Sequence, residues 1–142
     1  MAAEPFQILL VEDNPGDVFL FNRALKQTGL ECEVVRLADG AAAVEYVRRR
    51  APYEQSPLPD LAMLDMNLPK KDGAEVLEVM RQTPEYANVP VVMISSAASA
   101  RDRERTSGMG DTRYMIKPMD LEGFLRIGET LKEILIAGRP EA

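Results

Sequence analysis

The chain of 142 residues carries 17 Lys and Arg against 23 Asp and Glu, a formal net charge of −6, with 46% hydrophobic and 28% charged residues. That length suits one domain burying ~68–70% of its unfolded surface, and the composition excludes disordered, collagen-like and disulfide-scaffold classes. Histidine is absent and Cys32 is the one cysteine, which excludes Ser-His-Asp triads, His-ligated zinc, internal disulfides and Cys-x-x-Cys sites.

Any chemistry must therefore run on carboxylates, hydroxyls, lysine, backbone amides or an oxygen-bound metal. No run approaches the ~20 apolar residues of a membrane helix. The start, Met1 to Pro5, lacks the basic and apolar regions of a signal peptide. A cytoplasmic protein with no membrane partner is expected.

In chain order, Phe6 to Val11 is a short apolar run that stops at Glu12-Asp13, as a strand covered on both faces would. Asn14-Pro15 reads as a cap with Pro at the first helical position, Val18, Phe21, Ala24 and Leu25 follow at helical spacing, and Gly29 ends the helix. Val34 to Leu37 is a second strand, and Asp39 caps a helix reaching about Arg50, with Ala43, Val44 and Val47 inward. Three prolines mark 51–59 as a loop. Leu61 to Asp65 is the third strand, a turn from Leu68 to Gly73 follows, and the next helix holds Val76, Leu77, Val79 and Met80.

Val91 to Ser95 is a fourth strand, 97–109 a poorly amphipathic fourth helix, and Tyr114 to Lys117 a fifth strand stopped by Pro118. Asp120 caps a last helix with Leu121, Phe124, Leu125, Gly128, Leu131 and Leu135 on its inward face. This alternation predicts a single doubly wound (βα)5 domain spanning 1–142, with a core of about 6–137 and tails at 1–5 and 138–142. A parallel five-stranded sheet of order 2-1-3-4-5, flavodoxin-like, with helices on both faces is the expected architecture.

Ligands of open parallel sheets bind beyond the carboxyl ends of the strands. Those ends here carry Glu12 and Asp13, Asp65, Ser95 and Lys117. Clustered carboxylates raise one another's pKa unless a cation neutralises them. A hard divalent ion such as Mg²⁺ does so with oxygen ligands. Asp65 is then a candidate nucleophile for a phosphoryl group, Lys117 supplies positive charge and Ser95 a hydroxyl.

The chain resembles the receiver domains of two-component response regulators. The resemblance rests on Ile8-Leu9-Leu10-Val11-Glu12-Asp13, the Asp65 strand end, Leu68-Pro69-Lys70-Lys71-Asp72-Gly73, the Ser95 strand end and Tyr114-Met115-Ile116-Lys117-Pro118. It spans Phe6 to about Leu135. Within receivers, Asp65 to Gly73 and the Pro-containing loop before the third strand resemble stand-alone regulators partnered with phytochrome-type histidine kinases.

The resemblance implies that Asp65 accepts a phosphoryl group from a partner kinase's phosphohistidine and that Glu12, Asp13 and Asp65 hold Mg²⁺ with the Asn67 backbone carbonyl. It implies that Ser95 and Lys117 contact the phosphoryl oxygens and that Ser95 and Tyr114 form a switch pair. A cis Lys117-Pro118 bond, slow self-dephosphorylation and a downstream protein target are implied as well. The histidine that this chain lacks would sit on its partner. Such a protein is a phosphorelay component rather than an enzyme, with at most weak autophosphatase activity.

Ser95 stands where Thr is commoner, and Ser96 follows where a small residue is usual. The 97–109 segment has no large apolar residue through Gly108, which predicts a weakly docked, mobile helix or an ordinary solvated one held by alanine propensity and charge pairs. Ile127 and Ile134 widen the apolar arc of the last helix. They read as core or as part of a homodimer face with the fourth helix and fifth strand. The arginine clusters at 48–50 and 101–113 read as solvated surface on an acidic chain, so no nucleic-acid partner is expected.

After the last helix about seven residues remain, so a stand-alone receiver acting through protein contacts is expected. Two other readings compete: a receiver-fold interaction module without phosphorylation, and a haloacid-dehalogenase-like phosphatase. The latter wants a second Asp two positions after the nucleophile, where Asn67 stands.

Overall fold

A computed structural model describes residues 4–95, 104 and 108–139. Its strands are β1 (Phe6–Val11), β2 (Cys32–Leu37), β3 (Leu61–Asp65), β4 (Val91–Ser95) and β5 (Thr112–Ile116). Its helices are α1 (Pro15–Gln27), α2 (Gly40–Val47), α3 (Gly73–Gln82) and α4 (Leu121–Gly138), with a 3-10 turn at Pro84–Tyr86 that the sequence reading left out. The strands form one parallel sheet in the order β2-β1-β3-β4-β5, a doubly wound, flavodoxin-like α/β fold.

The three central strands are apolar along nearly their whole length because both faces are covered. β3 and β4 are buried at every position, whereas edge strands β2 and β5 are mostly half-buried or exposed. Leu9, Val11, Ala62, Leu64 and Met93 meet Val44 and Val47 of α2 and Leu77 and Met80 of α3 on one face. Ile8, Leu10 and Met63 meet Phe21 and Leu25 of α1 and Phe124 and Leu131 of α4 on the other. There the Phe21 and Phe124 rings meet edge-on at 4.9 Å.

Each helix starts on a residue whose side chain accepts backbone N–H groups: Asn14, Asp39, Asp72 and Asp120. Asp72 and Glu75 complete a reciprocal capping box. These caps set where each helix leaves the strand end, and so where the strand-end side chains stand.

Several expectations need correction. Ile127 and Ile134 are buried in the α1/α4 core, because Gly128 lets α4 approach α1 so closely that a Cβ there would lie 2.7 Å from the Ala24 carbonyl oxygen. They are core and not a homodimer face. Leu121, by contrast, is exposed, since the opening turn of α4 lies outside that core. The Lys117–Pro118 bond is trans, and Ala51–Pro52 is the cis bond found among the described residues. Trans is the intrinsically favoured isomer, and the Lys117 N–H before it donates to the Ser95 carbonyl at 2.6 Å, extending the β4/β5 ladder. The expectation for Ser96 lies outside the described residues, as does most of the 97–109 segment on which the mobile helix was expected. Among the described residues, no helix is long and apolar enough to cross a membrane.

Candidate functional site

Side chains alternate along each strand, so Glu12 following β1, Asp65 closing β3 and Lys117 following β5 share the parity of the α1/α4 face. The Lys117 ammonium lies 2.9 Å from Glu12 Oε1, 2.9 Å from Asp17 Oδ2 and 3.0 Å from Asp65 Oδ2. The Asp17 and Asp65 contacts are hydrogen bonds donated by Nζ. Glu12 Oε1 is fully buried, and its 2.9 Å contact with the ammonium pairs the two charges.

Burial pushes the Glu12 carboxyl up to about 7, against the pull of Lys117 and of the Asn14 N–H, which donates to Oε2 at 3.1 Å. Burial also works against the Lys117 charge, but Glu12, Asp17 and Asp65 outweigh it and hold that ammonium above the usual lysine range. The two shifts have different origins: desolvation for Glu12, and neighbouring carboxylates acting against desolvation for Lys117.

Two further groups shape the acidic corner. Arg36 of β2 donates from Nε to the Glu12 carbonyl at 2.9 Å and from Nη2 to the Asp13 carbonyl at 3.2 Å, holding the backbone where β1 ends. The Asn67 N–H donates to Asp65 Oδ1 at 2.8 Å, so the residue two positions on orients the carboxylate. Gly73 lets α3 begin directly against β3, since a Cβ there would stand 2.4 Å from the Asp65 carbonyl oxygen.

Carboxylate oxygens of Glu12, Asp13 and Asp65 all lie within 4.8 Å of one another. Glu12 and Asp65 are buried and Asp13 is exposed, so the cluster opens to solvent on one side. Two buried carboxylates beside an exposed one, oxygen-only donors and an open edge fit a hard divalent cation that keeps some of its waters.

Ser95 and Tyr114 lie on one face of the adjacent strands, because Met93 pairs with Tyr114 and Ser95 with Ile116. They are diagonal neighbours in the sheet. Ser95 is buried, and Tyr114 is half-buried against the α2/α3 core. Every strand-end residue singled out in the sequence thus stands at the same end of the sheet. Asp17 and Arg36 were missed. Asp17 sits in the acidic first turn of α1, where a helix-dipole role explains it locally. The available signal was its position four residues after Asp13. Arg36 is legible only through the register that sets it beside Leu10.

The parallel sheet of this order carries three acids, a hydroxyl and a lysine at its carboxyl end, and residues 8–127 match the family described as Response regulator receiver domain. The chain belongs to that family, whose members are signalling proteins. Response regulator Rcp1 of Synechocystis sp. is 36% identical over 123 residues, covering 87% of this chain and 84% of its own. The phosphorylated cyanobacterial phytochrome response regulator RcpA superposes with a TM-score of 0.86 at 33% identity, covering 94% of this chain and 96% of its own. The Mn²⁺-bound form of Rcp1 superposes with a TM-score of 0.82 at 34% identity over 91% of this chain and 93% of its own.

Proposed function

We propose that this protein is a response regulator whose Asp65 accepts a phosphoryl group from the phosphohistidine of a partner histidine kinase in the cytoplasm. The observation that carries this reading is the Lys117 ammonium held 3.0 Å from Asp65 Oδ2 at the rim of a three-carboxylate cluster. Asp65 Oδ2 attacks phosphorus and the bond from phosphorus to the kinase imidazole nitrogen breaks, leaving its electron pair on that ring. Glu12, Asp13, Asp65 and the Asn67 carbonyl would hold a divalent cation, Mg²⁺ in our reading, which when bound would supply charge neutralisation for the transferring group. Lys117 contributes a fixed positive charge and Ser95 a hydroxyl donor to the phosphoryl oxygens.

The acyl phosphate adds about −1.5 to −2 charges. Ser95 moves toward those oxygens and Tyr114 turns into the space it leaves. The surface along β5 changes, so the output is affinity for a downstream protein. Water slowly hydrolyses the acyl phosphate and resets the switch. Similarity to Rcp1 and to the phytochrome regulator RcpA supports a phytochrome-type kinase as donor. Self-association along β5 would rest on exposed side chains such as Ile116, since Ile127 and Ile134 are core.

Membership of the receiver family argues against the phosphatase alternative, as does Asn67 in place of a second acid. The intact acidic cluster argues against a phosphorylation-independent module. Incubation with acetyl phosphate and Mg²⁺ followed by intact-mass measurement tests the reading. One labile phosphoryl adduct is expected, lost in EDTA and in Asp65→Asn. No adduct on the unaltered protein, or an adduct that survives Asp65→Asn, refutes it.

A further inference from the structure

The Lys117 ammonium has three N–H donors and three carboxylate neighbours, but those neighbours are not equivalent. Glu12 and Asp65 also belong to the cluster whose oxygens converge as a cation site, whereas Asp17 does not. On the proposed reading, a bound cation draws on Glu12 and Asp65, and a phosphoryl group is attached to Asp65 itself. Asp17 is the partner that neither event claims.

Its placement is also fixed independently of the strand ends. The Asp17 N–H donates to the Asn14 cap at 3.2 Å, behind Pro15 in the first helical position. The carboxylate therefore projects from a rigid helix start across 100 residues of sequence to Lys117. A lysine on a flexible four-carbon stem needs such an anchor if its charge is to stay in one place. The contact is sheltered, with the two side chains 21% and 14% exposed, so solvent competes for it only weakly.

We propose that Asp17 is a positioning residue: it holds the Lys117 ammonium beside Asp65 while Glu12 and Asp65 engage the cation and the phosphoryl group. Asp17 itself touches neither. The pairing leaves Lys117 preorganised for the phosphoryl oxygens, so little side-chain freedom is lost when they arrive. A carboxylate placed at a helix start only for the dipole would affect stability and nothing else. This inference rests on the phospho-acceptor reading.

The test compares the unaltered protein with Asp17→Asn, Asp17→Glu, Lys117→Ala and the Asp17→Asn/Lys117→Ala double variant. Calorimetry measures the affinity for Mg²⁺ alone and then for fluoroberyllate, a phosphoryl mimic, in saturating Mg²⁺. Asp17→Asn should weaken fluoroberyllate binding ~10-fold, the lower end of what outer-shell partners contribute, and leave Mg²⁺ affinity within ~2-fold. Asp17→Glu should recover part of the loss. In the Lys117→Ala background, Asp17→Asn should change nothing further, because the two act as one unit.

Equal fluoroberyllate affinity in Asp17→Asn and the unaltered protein overturns the proposal. So does the same loss in the Lys117→Ala background, or a matching loss of affinity for Mg²⁺ alone. Failure of the unaltered protein to bind fluoroberyllate would instead overturn the phospho-acceptor reading beneath it.

Discussion

Asp13 stands at the open edge of the acidic cluster, exposed, with an oxygen within 4.8 Å of oxygens of Glu12 and Asp65, while Lys117 makes its charge contacts with Glu12, Asp17 and Asp65. Asp13 therefore feels like charges, offset in part by the Arg36 guanidinium at its own backbone carbonyl. At that separation two unit charges repel by ~0.9 kcal/mol in bulk water and ~3.5 kcal/mol at an effective dielectric of 20. Exposure places Asp13 near the watery limit, so Asp13→Asn should stabilise the metal-free protein by about 1 kcal/mol, a rise of ~3–5 °C in Tm.

With Mg²⁺ at ten times its dissociation constant, the unaltered protein should gain ~1.4 kcal/mol by mass action, and Asp13→Asn should lose most of that gain. The order of stability thus inverts between EDTA and Mg²⁺. Glu12 titrates at about 7, raised above its ordinary 4.5. Its charge is present above pH 7 and lost as pH falls through 7. The advantage of Asp13→Asn in EDTA should shrink accordingly from pH 8 to pH 6. Urea titrations followed by circular dichroism read each of these. An Asp13→Asn protein less stable than the unaltered one in EDTA, or one that keeps the full Mg²⁺ gain, refutes the account of the cluster as repulsion relieved by a cation.

Gly73→Ala should cost ~1–3 kcal/mol and slow adduct formation from acetyl phosphate, because its Cβ would meet the Asp65 carbonyl oxygen, carbonyl carbon and Met66 Cα, backbone atoms that cannot swing away. Lys70, at φ 70°, holds a left-handed conformation unfavourable to a long side chain, and its ion pair with Asp39 at 3.6 Å is largely exposed. Lys70→Asn should accordingly raise stability by ~0.5–1 kcal/mol in thermal melts with acceptor chemistry unchanged. Arg36→Met removes both hydrogen bonds to the Glu12 and Asp13 carbonyls. It should lower Mg²⁺ affinity ~10-fold by calorimetry while leaving Asp65 in place.

The strand ends were legible because two independent periodicities meet there. The apolar runs of β1, β3 and β4 leave no doubt about where burial stops, and the residues that follow them, Glu12, Asp13, Asp65 and Ser95, must then share one end of a parallel sheet. Lys117 followed from the same logic applied to β5. Asp17 was hidden because a single sequence explains it twice: an acid in the first turn of a helix is already satisfied by the dipole. Only the tertiary fold shows that it reaches Lys117. Ile127 and Ile134 were ambiguous for a related reason. An apolar arc does not reveal its own neighbour, and the close approach at Gly128 buries a wider stripe than helix periodicity alone indicates. The Lys117–Pro118 bond is trans where the resemblance implied cis, and the Lys117 N–H donates to the Ser95 carbonyl as β5 pairs with β4.

That hydrogen bond also bears on how a local charge becomes a change of surface. Lys117 is tied through its ammonium to Asp17 and Asp65 and through its backbone N–H to Ser95, while Ser95 shares a sheet face with Tyr114. On the proposed reading, the charged end and the aromatic end of the switch would thus meet in one residue pair on neighbouring strands. A ligand shifts such an equilibrium only by its differential affinity for the two arrangements. The differential can be located here: the resting arrangement buries Glu12 Oε1 against the Lys117 ammonium and gives Lys117 carboxylates as partners. On the proposed reading, Glu12, Asp65 and Lys117 would exchange these mutual contacts for a cation and a phosphoryl group, and a cluster that destabilises the empty fold would give the loaded one its driving force.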